Sequence, residues 1–80
     1  MRGITYLRSA YKVLATYDAD TKKRIVEAIS KIPQGDIKKL QGEKYPPLYR
    51  LRVGKYRIIY NIDGEEIVIA KIDIRGDIYK

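Results

Sequence analysis

Apolar residues recur at helical spacing in the first part of the chain and at period two in the last. From Leu7 they fall at Leu7, Ala10, Tyr11, Leu14 and Tyr17, three or four apart, which predicts an amphipathic helix with one buried stripe. Asp18-Ala19-Asp20 interrupts that pattern, and either aspartate can accept backbone N–H groups at the start of a second helix. The second buried stripe is Ile25, Ala28, Ile29 and Ile32, and Pro33 ends it. Two such helices form a hairpin with one apolar side. Ahead of them, residues 2–6 allow a short strand at most, given Gly3.

The remainder supplies the surface that the hairpin covers. A short extended segment at Asp36-Ile37-Lys38-Lys39-Leu40 leads into a loop with Gly42 and Pro46-Pro47, which cannot continue a central strand. Leu48 to Tyr60 then alternates, sending cations to one face and apolar residues, Tyr56 and Tyr60 among them, to the other. With Gly54-Lys55 as a two-residue type II′ turn, Arg52 lies opposite Arg57 and Arg50 sits beside them. Like charges opposed in a sheet destabilise it by roughly 0.2–1 kcal/mol, so an anion such as a phosphate is expected over the three guanidinium groups.

A turn at Asp63-Gly64 reverses the chain into residues 66–75. A strict two-residue loop there would press Lys71, Asp73 and Arg75 into the core. A three-residue loop with left-handed Gly64 instead sends Val68, Ala70, Ile72 and Ile74 inward, and it places Lys71, Asp73 and Arg75 with the arginines. This register leaves Ile59, Ile67 and Ile69 exposed together, a zone for another chain or the basic N-terminal segment to cover. The expected architecture is α+β: an N-terminal helical hairpin on one face of an antiparallel sheet of three or four strands.

Eighty residues suit one domain, expected to span 1–80. With no Cys and no His, the chain has neither disulfides nor the usual zinc ligands, and no Cys-His or Ser-His catalysis. No metal or other cofactor is called for. The formal charge of +7 predicts attraction to nucleic acid, anionic membrane or an acidic protein. A membrane-surface role has little support, because the helices' apolar stripes are satisfied by the sheet and leave no second apolar face for lipid, and neither a spanning apolar run nor a secretion signal is expected. Cytoplasmic location is the expectation. Lys22, Lys23, Arg24 and Lys31 read first as a solvated helix face, with RNA contact second.

Three segments in order and spacing carry a family resemblance: Asp36-Ile37-Lys38-Lys39-Leu40-Gln41-Gly42, the run from Leu48 to Tyr60, and Arg75-Gly76-Asp77-Ile78-Tyr79-Lys80. Together they resemble the RelE/ParE toxin superfamily, and its RelE branch more closely. The resemblance implies a toxin paired with an antitoxin, acting as a metal-independent endoribonuclease that enters the ribosomal A site and cuts mRNA there. It matches Arg57 to the main phosphate-stabilising arginine, Arg50 and Arg52 to basic residues of the preceding strand, and Arg75 and Tyr79 to a C-terminal pair acting on the scissile phosphate. Ile74-Arg75 stands where many relatives carry His-Arg.

Chemistry supports that assignment on its own terms. RNA can be cut by its own 2′-hydroxyl, so the protein must align the attack, stabilise charge on the phosphorane and move two protons. Guanidinium forks fit the phosphate oxygens, nearby arginines favour the phenolate of Tyr79, and Lys55, Lys71, Arg50 or Arg52 can share the proton transfer. The +7 charge and the isoleucine zone suit an acidic, amphipathic antitoxin segment. Two other classes stay open: a ParE-like inhibitor of DNA gyrase, and a basic nucleic-acid-binding module without catalysis.

Overall fold

The computed structural model describes residues 3–40 and 47–74. Its elements are β1 (Gly3–Tyr6), α1 (Arg8–Ala15), α2 (Ala19–Ser30), β2 (Asp36–Lys39), β3 (Tyr49–Val53), β4 (Tyr56–Asp63) and β5 (Glu66–Ile74). The strands form one sheet in the order β1-β5-β4-β3-β2. α1 packs over β5 and α2 over β3. The loop residues Gly42 and Pro46 lie outside the described residues.

The α+β architecture is the expected one, but the sheet has five strands rather than three or four. β2 is the segment from Asp36, paired antiparallel to β3 with Ile37 opposite Leu51. β1 adds the fifth, and it pairs parallel to β5, with Gly3 opposite Glu66 and Tyr6 opposite Ile69. Long-range pairing of this kind leaves no mark in local periodicity, which is why a four-residue segment with an exposed pattern reads weakly.

The core lies between the helices and one sheet face. Ala10, Ile25, Ile29, Leu51, Ile58, Tyr60, Ile69 and Ile72 are essentially inaccessible to solvent, and Leu14, Ile32 and Ile67 are nearly so. Each large side chain buried this way contributes about 1.5–3 kcal/mol. In α2 the predicted stripe is the buried one, with Ala28 at its margin. Asp18 caps that helix: its Oδ1 accepts from the Thr21 backbone N–H at 3.1 Å. In α1 the buried stripe is narrower than expected. Ala10 and Leu14 are buried, whereas Leu7, the cap residue, is 45% exposed and Tyr11 is 62% exposed. The helix crosses the outer part of the sheet, so only one line of its side chains meets the core.

The β3–β4 turn is as expected. Gly54 has φ +59° and the next residue stays at negative φ, the type II′ pattern, and Arg52 pairs with Arg57. The β4–β5 turn differs from the expected three-residue loop. Asp63 pairs with Glu66 across a two-residue Gly64-Glu65 loop, with Gly64 at φ +63°. This register points Ile67 and Ile69 into the core, at 2% and 0% exposure, and leaves Val68 and Ala70 half-buried. Farther from the turn a bulge resets the parity: Tyr60 pairs with Ile69 and Ile59 with Lys71, so Ala70 has no partner across the ladder. Beyond it Ile72 is buried, and Lys71 and Asp73 face away from the core as expected.

Two devices therefore put apolar residues of β5 inward on both sides of the bulge. The expected zone of exposed Ile59, Ile67 and Ile69 is absent. Ile59, on the outer face, is only 9% exposed, and its register partners Arg50 and Lys71 have aliphatic stems long enough to lie over it.

Candidate phosphate-binding face

The sheet face opposite the helices is polar, and its charges are segregated. One end carries Lys38 of β2, Arg50 and Arg52 of β3, Arg57 of β4 and Lys71 of β5, together with Asp36 and Asp73. Toward the β4–β5 turn the same face carries Thr5, Asn61, Val68, Asp63 and Glu66, and the Thr5 hydroxyl donates to the Glu66 carboxylate. Among the described residues, cations thus occupy one corner, where five of them outnumber two carboxylates. A phosphate chain approaching the face meets its favourable field there.

Within the corner the arginines are not left facing one another. Arg57 donates through Nε to Asp73 Oδ1 at 3.0 Å and through Nη2 to Asp73 Oδ2 at 2.7 Å, with both side chains 25% exposed. Lys71 Nζ lies 3.8 Å from the same Oδ2. Asp36 serves the other two: its Oδ1 accepts from Arg50 Nη2 at 3.3 Å, and its Oδ2 is 3.2 Å from Arg52 Nε. The latter contact is ionic rather than an aligned hydrogen bond, and Arg50 Nε is buried without a hydrogen-bond partner. The like-charge opposition that led to the expectation of an anion over the three guanidinium groups is thus relieved in part from within the sheet, by two aspartates.

Asp36 is the residue that reading the sequence overlooked in the corner. Its signal was present, since Ile37 as the inward residue of β2 necessarily sends Asp36 and Lys38 to the arginine side. Lys55 sits at the tip of the β3–β4 turn, with its ammonium 5.6 Å from the Tyr56 ring centroid. Tyr56 in turn packs at 5.0 Å against Tyr17, whose hydroxyl is pushed to a higher pKa mainly by burial and further by Tyr56 and Asp73. Arg75 and Tyr79 lie outside the described residues. On the helix side, a groove of about 450 Å³ opens between α2 and the β2–β3 edge, lined by Arg24, Lys31, Leu51 and Arg52 among others.

A two-helix layer on one side of a small sheet, with a cationic corner on the other, defines the class: a compact α+β scaffold with guanidinium groups gathered on its open sheet face. Comparison with known proteins makes the class specific. The family model for the ParE toxin of the type II toxin–antitoxin system parDE matches residues 4–79. This chain belongs to that family, within the RelE/ParE toxin superfamily and on its RelE-like side. Toxin RelE3 of Methanocaldococcus jannaschii is 43% identical over 44 residues, which are 55% of this chain and 48% of that protein. The matched stretch thus spans about half the length of that relative. Among solved structures, the archaeal RelE–RelB complex from Pyrococcus horikoshii aligns with TM-score 0.78 at 27% identity, covering 94% of this chain and 96% of that one. The RelB–RelE antitoxin–toxin complex from Methanococcus jannaschii aligns at 0.74 and 28%, covering 94% of each chain.

Proposed function

We propose that this chain is the ribosome-dependent mRNA endoribonuclease of a toxin–antitoxin pair, cutting in the A site by attack of the RNA 2′-hydroxyl on its neighbouring phosphate. The observation that carries the proposal is Arg57, a guanidinium held in place by two contacts within a cationic corner. Fixed donors stabilise a phosphorane because no reorganisation is needed as its charge develops. Arg50, Arg52 and Lys71 hold the flanking phosphates, with Lys55 at the turn beside them. Arg75 and Tyr79 complete the proposed site, the first as a second phosphate ligand and the second as a proton-transfer group. No metal or cofactor enters this scheme.

The partner is an acidic antitoxin that neutralises the cationic face, a reading supported by the +7 charge and by the antitoxins present in the two archaeal complexes. Action in the cytoplasm follows from a ribosomal target. The test is a reconstituted translation reaction beside naked mRNA, with 3′ ends mapped by primer extension. Cuts at A-site codons that need ribosomes, and an Arg57→Ala rate lower by about 10²–10³-fold, are expected. Wild-type cutting by Arg57→Ala would reject the assignment. The ParE family match favours one second reading, inhibition of DNA gyrase, which predicts intact mRNA and lost supercoiling in a purified gyrase assay.

A further inference from the structure

Asp73 is the one carboxylate of the corner bound by both its oxygens to a single guanidinium. A planar fork gripped at two points cannot rotate about either contact, whereas Arg50 and Arg52 share Asp36, one carboxylate oxygen each. Exposure separates the two aspartates as well: the Asp73 side chain is 25% exposed and that of Asp36 is 55% exposed. Asp36 is a loose countercharge, while Asp73 is a clamp.

The backbone around Asp73 is arranged to deliver it. Asp73 is the direct register partner of Arg57, but only because the bulge at Ala70 has shifted the ladder by one residue. Continued from the β4–β5 turn without that shift, the parity that buries Ile67 and Ile69 would bury Lys71 and Asp73 in turn. α1 holds the bulge: the Leu7 backbone N–H donates to the Ile69 carbonyl at 2.9 Å, and the Ser9 hydroxyl donates to the Ala70 carbonyl at 3.3 Å. Bulges recur where a side chain is re-aimed beside a site.

We propose that Asp73 is a positioning residue: it fixes the guanidinium plane of Arg57 for a phosphodiester lying on the sheet face. The proposal rests on the reading above that Arg57 meets the reacting phosphate. It carries a signature that neither a packing role nor simple charge masking shares. A carboxylate in the corner weakens the attraction of RNA while it supplies orientation in advance. Removing its charge therefore lowers the rate without weakening binding.

The experiment is single-turnover cleavage of mRNA on programmed ribosomes, with wild type, Asp73→Asn and Asp73→Glu in excess and each checked for folding by thermal melting. For Asp73→Asn the half-saturating concentration is expected to stay level or fall, while the maximal rate drops at least about tenfold. Asp73→Glu keeps the charge but moves it by one methylene, so its rate falls with unchanged half-saturation and serves as the second variant if Asp73→Asn does not fold. An unchanged maximal rate in either folded variant, or a raised one in Asp73→Asn, overturns the proposal.

NMR of the arginine Nε–Hε groups gives a readout independent of cleavage, using an RNA oligonucleotide with 2′-deoxy substitution. The Arg57 signal is expected to be resolved in wild type, to move on adding the oligonucleotide, and to broaden in Asp73→Asn. Should the wild type fail to cut on ribosomes, the nuclease reading falls and this signal decides alone. A signal that behaves alike in wild type and variant overturns the positioning role.

Discussion

Arginine and aspartate meet on this sheet in two ways, and the difference has consequences at single residues. Arg57→Ala strips Asp73 of two charged hydrogen bonds, a loss of about 1–3 kcal/mol of stability. Urea unfolding should show that loss as a lower midpoint in a protein that still folds, which would separate the fall in cleavage expected under the proposed function from a failure to fold. Asp18 makes a separate prediction. Its carboxyl is held below the ordinary 3.8, first by hydrogen bonding with Thr21 at the start of α2. A folded pKa below the unfolded one means the cap stabilises fully above 3.8 and its contribution fades as pH falls through the lowered value. The melting temperature of Asp18→Ala should accordingly lie below that of wild type near neutral pH and converge with it in strong acid.

At the scale of elements, β5 is the informative strand. Ile69→Ala should cost about 2–5 kcal/mol, the range for truncating a fully buried aliphatic side chain, and Val68→Ala distinctly less. Equal losses in denaturant unfolding would contradict the register. Gly64→Ala is expected to cost about 1–2 kcal/mol through its positive φ alone, since no atom lies within 4 Å of the added methyl group. Most elements could be read from the sequence: both helices, an aspartate cap that the structure assigns to Asp18 rather than Asp20, the β3–β4 turn and the pairing of Arg52 with Arg57. What alternation could not supply was the bulge. Ile67, Ile69 and Ile72 fit no single period of two, and a pattern with one parity must expose one part of the set. Leu7 and Tyr11 were misplaced for a related reason, because periodicity names a face without saying how much of it the neighbouring layer covers.

For the molecule as a whole, the segregation of charge sets what the proposed RNA binding should look like. RNA affinity should fall steeply with salt, and Lys71→Gln should reduce the log–log salt slope by about 1 while leaving the fold intact, as removal of one phosphate contact does. Filter binding at several salt concentrations measures it, and an unchanged slope would place the RNA elsewhere. The cations of β3 and β4 were legible as such, and so was their place on the sheet face opposite the helices. Their internal neutralisation by Asp36 and Asp73 depends on strands that meet only in three dimensions.

The parallel pairing of β1 with β5 also bears on how the molecule comes into being. Gly3 waits for Glu66, so the first strand has no neighbour until β5 has been synthesised. Contacts this distant in sequence form late, after loop closure has been overcome. Asp73 lies later still in the same strand, so the corner it completes forms only once β5 has been made. The cationic corner is thus a product of the completed sheet rather than of the two strands that carry its arginines.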